Sequence, residues 1–195
     1  MIKHGKGGGN TTTGKKFEAE FDLAKWLKPE YETVAFPLRY TRGNKTFARN
    51  CFGEKIVDRF NNEIGLIFTN HGLNQYLAGQ YGIAWKSRMS RELCPDAALF
   101  IIRRKTVFII EMKTQGVSGS TDEKLQTCHF KKRQFEKLLR GICNKVEYIY
   151  YLANWFRDEK YSDVLEYIKE KDVGCRYFFE QERTELKKLI FAKNI

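Results

Sequence analysis

Two carboxylates and an amine stand out from the rest of the chain by type and spacing. Pro95-Asp96 is followed, after a hydrophobic run, by Glu111-Met112-Lys113. In a strand, side chains alternate between faces, so Glu111 and Lys113 share one face and Met112 takes the other. The interval from Asp96 to Glu111 holds one strand, a tight turn and most of a second strand, so the three polar groups can converge at the end of adjoining strands. Such a set suits phosphodiester hydrolysis. That reaction needs charge neutralised on a phosphorane-like transition state and hydroxide produced at neutral pH, which a divalent cation does by polarising the phosphate and acidifying water. Hard oxygen ligands such as Asp96 and Glu111 match Mg²⁺, which keeps several waters and takes one or two carboxylates. Lys113 then orients the water or stabilises developing charge. A bare E-x-K tripeptide is most often an ordinary exposed pair at a strand end. Here it directly follows Val107 to Ile110, four apolar residues typical of a buried strand, which sets the charges at the mouth of a sheet where α/β sites form.

The elements that must position these groups follow from periodicity and punctuation. Ala97 to Ile102 and Thr106 to Met112 read as two strands joined hairpin-fashion at Arg103 to Lys105, the centre of a sheet. Upstream, the Thr11 to Thr13 run offers a helix N-cap, and Phe17, Phe21, Ala24 and Leu27 recur at helical spacing until Lys28-Pro29. Glu30 to Leu93 is mixed, with a helix expected over Glu54 to Ile64, a strand over Gly65 to Asn70, and loops rich in Gly, Asn, Arg and aromatics. Ser120 and Glu123 form a capping box that opens a helix through about Leu139, ending near Gly141. A buried strand over Val146 to Ala153, a helix over Asp163 to Lys171, a strand over Cys175 to Phe179 and a helix over Arg183 to Ala192 complete an α/β alternation around a mixed sheet. At 195 residues the chain fits one domain, 1–195, with 30–93 the place for recognition insertions.

These residues together resemble the PD-(D/E)XK nucleases, the fold of many type II restriction endonucleases. The match is Pro95-Asp96 and then Glu111-x-Lys113, extended to Gln115, with an upstream Gly14-Lys-Lys-Phe-Glu18 helix start and a downstream Gly119-Ser-Thr-Asp-Glu-Lys-Leu125 segment. It spans about Gly14 to Ala153. The resemblance implies a restriction-endonuclease-like core, a central mixed β-sheet flanked by α-helices. It implies Asp96 and Glu111 as Mg²⁺ ligands, Lys113 as the catalytic lysine, and Gln115 as a support for the site or the DNA backbone. It also implies a further acidic residue from the first helix. Glu18 has the spacing, whereas a helical wheel puts Glu20 inside the apolar arc. The expected activity is Mg²⁺-dependent, site-specific cleavage of double-stranded DNA by a homodimer, as in a restriction-modification system. Alternatives are the catalytic subunit of a two-part endonuclease with a larger specificity subunit, a junction or repair nuclease, and a binding protein that uses only its basic charge.

Charge favours a polyanionic partner in any of these cases: 35 lysines and arginines against 24 acidic residues leave a formal charge of +11. Arg39, Tyr40, Arg42, Lys45, Phe47 and Arg49 interleave basic and aromatic groups as a DNA-contacting loop does. Lys86, Arg88 and Arg91 just precede Pro95-Asp96 and are expected near the scissile phosphate. Lys124 is a further candidate contact, while Lys131, Lys132 and Arg133 read more simply as the solvated face of a helix. Gly9 to Lys15 fits most of a P-loop, but Lys16 stands where Ser or Thr should be and no hydrophobic strand precedes it. His4, His71 and His129 are too dispersed for a zinc motif, and the five cysteines, Cys51, Cys94, Cys128, Cys143 and Cys175, contain no C-x-x-C pair, which suggests reduced thiols. No nucleophile-elbow motif supports acyl transfer. No apolar run reaches membrane-spanning length, and the Gly-rich start lacks the apolar core of a signal peptide, so the expected location is the cytoplasm, away from any membrane.

Overall fold

The computed structural model describes residues 16–17, 21–27, 31–42, 45–115 and 121–192; for 24, 37–42, 45–52 and 121–122 it describes the backbone alone. In chain order the elements are α1 (Leu23–Leu27), β1 (Glu32–Arg42), β2 (Lys45–Val57), β3 (Glu63–Thr69), α2 (Gly72–Tyr81), β4 (Ala97–Ile101), β5 (Thr106–Lys113), α3 (Thr121–Leu125), α4 (Cys128–Leu138), β6 (Lys145–Leu152), α5 (Ser162–Lys169), β7 (Arg176–Phe179) and α6 (Arg183–Phe191). The strands form one seven-stranded sheet in sequence order, antiparallel from β1 to β5 and parallel from β5 through β6 to β7. The fold is therefore α/β, a mixed sheet flanked by helices.

Strand alternation divides the core into two layers. Val107 and Ile109 of β5, with Tyr148, Tyr150 and Leu152 of β6, pack against Leu73, Leu77, Leu125, Phe135, Leu138 and Ile168 from α2 to α5. Phe108, Ile110 and Met112, with Ile149 and Tyr151, face Phe17, Leu27, Leu186 and Ile190 on the other side. Every residue of β4, and all of β5 as far as Met112, is buried. Each large apolar side chain so buried contributes about 1.5–3 kcal/mol, which makes the β4–β5 hairpin a stiff platform for whatever lies at its end. The connection tightens at Lys105, whose φ is 45°. Arg104 turns back from it to donate to the carbonyls of Leu189 and Ile190, both at 2.8 Å, holding the last turn of α6 against this edge.

The helix expected over Glu54 to Ile64 is not formed. Those residues make the end of β2, a turn, and the start of β3. The apolar spacing Ile56, Val57 and Phe60 fits a helix, but Asp58-Arg-Phe-Asn-Asn is a turn. The Asp58 carboxylate accepts from the backbone N–H of Phe60 and of Asn62, each at 2.9 Å, and Asn61 takes the left-handed conformation with φ 62°. Lys55 and Glu63 then pair across the hairpin at 2.6 Å. The helix expected to run to Leu139 is two helices. Between them the Thr127 hydroxyl donates to the Lys124 carbonyl at 2.7 Å, and the buried Tyr150 hydroxyl donates to the same oxygen at 2.9 Å. These two bonds take an acceptor that a continuous helix would use. The helix α2 was hidden in the mixed region of the sequence; Gly82, with φ 65°, closes it by donating to the Leu77 carbonyl.

Candidate active site

The site forms where β4 begins and β5 ends. Ala97 pairs with Ile110, so Asp96 lies beside Glu111 as the ladder continues outward. The Asp96 carboxylate Oδ2 accepts the Met112 N–H at 2.7 Å, taking the place of a strand carbonyl and fixing the side chain to the neighbouring strand. Glu111 and Lys113 share the face that packs under α4, as alternation requires. The Lys113 Nζ donates to Glu111 Oε2 at 2.9 Å and to its neighbour's carbonyl, Met112 O, at 3.0 Å; it lies 3.8 Å from Asp96 Oδ2. Its ammonium also sits 5.9 Å from the centre of the Tyr150 ring. The structure thus brings Asp96, Glu111 and Lys113 together.

A fourth group joins them. Lys131, in the first turn of α4, donates to the same Glu111 Oε2 at 3.2 Å. Glu111 is buried, so its charge must be compensated within the protein. Burial pushes its carboxyl up, but the two ammonium charges and their hydrogen bonds outweigh that and leave it below the usual glutamate range. The carboxylate is therefore ionised and ready to act as a ligand at neutral pH. Lys131 reads in the sequence as part of a solvated face, and there was a signal against that reading. It lies three residues after Cys128 and four before Phe135, both buried on α4, so it falls on the apolar arc.

Other predicted residues are spread more widely. Gln115, half-buried, follows two residues beyond Lys113. Glu18 and Glu20 lie outside the described residues, as do the Thr11 to Thr13 cap, the P-loop-like segment and Ser120. Their described neighbours Phe17 and Phe21 pack on the Tyr151 ring, with centroids at 5.8 and 4.3 Å. Among the described residues no third carboxylate joins Asp96 and Glu111. Lys86, Arg91 and Lys124 are exposed. Arg88 is committed to structure, donating to the carbonyls of Leu138 at 2.6 Å and Arg140 at 2.7 Å as it closes the end of α4.

Arg39, Arg42, Lys45 and Arg49 fall on strands, where a loop was expected. Only Gly53–Val57 of β2 pairs with β3, so 37–42 and 45–52 continue past the sheet as a two-stranded ribbon. Six residues of extended chain reach about 20 Å. Gly53 pairs with Phe68, next to Thr69, which in turn pairs with Ala97. The ribbon therefore leaves the sheet at the edge where Asp96, Glu111 and Lys113 gather.

The arrangement defines a class of site: two acidic oxygen donors and two ammonium groups at the end of two central strands of a mixed α/β sheet. No family model, curated protein or solved structure matches the chain. No helix among the described residues is long and apolar enough to cross a membrane.

Proposed function

We propose that the protein is a Mg²⁺-dependent DNA endonuclease with a restriction-endonuclease-like core, cleaving duplex DNA at specific sites in the manner of a type II restriction enzyme. The observation that carries this reading is the convergence of Asp96, Glu111 and Lys113, with the Lys113 ammonium within 4 Å of both carboxylates. The donor set fits the metal: two hard oxygens, one on the residue that leads into β4 and one on β5. When bound, Mg²⁺ would acidify a water and polarise the phosphate. Asp96 and Glu111 would hold the ion, and Lys131 keeps Glu111 ionised by offsetting the cost of its burial. The Lys113 ammonium orients the attacking water and balances the charge that grows on the phosphate oxygens. A new P–O bond forms to the water oxygen, which gives up a proton to solvent, the opposite P–O ester bond breaks, and the departing alkoxide takes up a proton from solvent.

The basic ribbon supports DNA as the substrate. Residues 37–52 carry Arg39, Arg42, Lys45 and Arg49 and no acidic residue, and a two-stranded ribbon is of a size that enters the major groove. Two copies acting as a homodimer would present two such sites, one to each strand. Purified protein incubated with mixed-sequence duplex DNA, with and without Mg²⁺, tests the reading. Discrete fragments that require Mg²⁺ and disappear in Lys113→Ala are expected, and sequencing their ends identifies the site. Absence of cleavage on linear, supercoiled and branched duplexes alike would overturn it.

A further inference from the structure

A second cluster, apart from the two carboxylates, gathers three different donor atoms. His71 immediately precedes α2, and Glu92 and Cys94 lie in the segment that leads into β4. His71 Nδ1 is 3.0 Å from Glu92 Oε1 and 3.2 Å from Cys94 Sγ, and the three ligand atoms all lie within 4.8 Å of one another. We propose that His71, Glu92 and Cys94 bind a zinc ion, with water as the fourth ligand, and that this ion fastens the segment carrying Asp96. The proposal does not depend on the nuclease reading.

The geometry distinguishes a metal site from a catalytic thiol. In a cysteine–histidine–carboxylate relay the imidazole uses one nitrogen for the thiol and the other for the carboxylate. Here both partners meet the same nitrogen, Nδ1, which offers one in-plane lone pair or one N–H. Three donors converging on a common point are better satisfied by a cation between them. With zinc bonds of about 2.0–2.3 Å, tetrahedral ligand atoms sit roughly 3.3–3.6 Å apart, so the two distances from the imidazole nitrogen need to open by only a few tenths of an ångström. The chemistry selects the metal as well. Thiolate, imidazole and carboxylate together form a borderline-soft set that suits zinc and disfavours Mg²⁺.

Supporting contacts are in place. Asn74, 3% exposed, donates from Nδ2 to Glu92 Oε1 at 3.1 Å and to the Leu93 carbonyl at 3.0 Å, which orients the carboxylate as outer-shell partners of metal ligands do. His71 and Glu92 keep 35% and 22% of their side chains exposed, leaving access for a water ligand. Binding converts the Cys94 thiol to thiolate and releases its proton to solvent. Cys94 is joined to Asp96 through the buried Pro95, and His71 follows closely on Thr69, the strand partner of Ala97. An ion there ties α2 to the residues that set Asp96.

The test uses the full chain, prepared in zinc-supplemented medium and purified without chelator. About one zinc per chain by elemental analysis is expected. Replacement by Co²⁺ should produce a thiolate-to-cobalt charge-transfer band in the near ultraviolet and the visible bands of a tetrahedral site. Cys94→Ser should abolish the charge-transfer band. Cys128→Ser should leave it intact, since that thiol lies on α4 against Cys175. Asn74→Ala, which removes the hydrogen bond that orients Glu92, should weaken zinc about 10- to 100-fold in a chelator competition. If Cys94→Ser does not fold, judged by circular dichroism, the Co²⁺ spectrum of the parent and the Asn74→Ala competition decide the matter. A parent chain that takes up no zinc or cobalt, or a folded Cys94→Ser variant with the parent's charge-transfer band and stoichiometry, would overturn the proposal.

Discussion

Lys113→Met separates a catalytic lysine from one that only neutralises buried charge. The substitution keeps an apolar stem of similar length and removes the ammonium, with its bonds to Glu111 Oε2 and Met112 O and its proximity to Asp96 and the Tyr150 ring. Lys113 and Glu111 are 15% and 10% exposed at their side chains, so solvent screens the pair little. Glu111 is not stranded by the change, because Lys131 still donates to it at 3.2 Å. The structural loss is thus two hydrogen bonds from a charged donor, to Glu111 and to the Met112 carbonyl, together about 3–4 kcal/mol. For a chain of this size that lowers the melting midpoint by about 6–16 °C. The chemical loss is larger: removing one preorganised charge from a hydrolytic site lowers the rate about 10²- to 10³-fold. Single-turnover cleavage of plasmid DNA at saturating Mg²⁺, run well below both melting midpoints and beside Lys131→Met, keeps the two effects apart. If Lys113→Met cleaves within about fivefold of the parent, or if only Lys131→Met is inactive, the assignment of Lys113 to the reacting phosphate is wrong.

Three further outcomes are expected. Replacing Arg39, Arg42, Lys45 and Arg49 together by alanine should weaken DNA binding on all sequences and flatten the slope of log K against log salt by up to about 0.9 for each phosphate no longer neutralised; an unchanged slope would remove the ribbon from the interface. Because Glu111 is held below its ordinary value of 4.5, the folded protein releases that proton more readily than the unfolded chain. Its stabilising contribution is complete above that value and is lost as pH falls through the lower folded one. Denaturant unfolding of metal-free protein should show a stability gap between parent and Glu111→Gln that is level at neutral pH and closes in acid; a gap that widens in acid would contradict the sign. Arg104→Ala should cost about 1.5–3 kcal/mol by freeing the Leu189 and Ile190 carbonyls, read as a lowered melting midpoint with DNA cleavage at 20–25 °C retained; an unchanged midpoint would show that α6 does not rely on this bond.

What could be read directly from the chain was whatever a few neighbouring residues encode. The four apolar residues Val107 to Ile110, ahead of Glu111-Met112-Lys113, specify a buried strand whose last polar side chains share a face, and the short Arg103 to Lys105 link specifies its antiparallel partner. Asp96 and Glu111 were therefore legible as neighbours. Period alone misled at Glu54 to Ile64, where apolar spacing suits either a helix or the two arms of a hairpin. There the Asp58 carboxylate and the pairing with β1 and β4 decided the outcome, and sheet pairing is a long-range contact that no short window carries. Lys131 shows the intermediate case: its place on the apolar arc of α4 was visible, but only the packing of that helix over β5 supplies the buried carboxylate that turns a misplaced lysine into a partner of Glu111.

The cluster of His71, Glu92 and Cys94 belongs wholly to tertiary structure. Its members have no motif spacing, and they meet because β3 and β4 are adjacent and antiparallel, so that the residues after one and before the other return to the same end of the sheet. The same register brings the basic ribbon of β1 and β2 to the edge that holds Asp96. Local pattern determines which residues are strand, helix or turn, because burial and hydrogen bonding of the backbone repeat every two or four residues. Which side chains from distant segments come to share a point is decided by strand order and register, and those depend on the packing of the whole sheet.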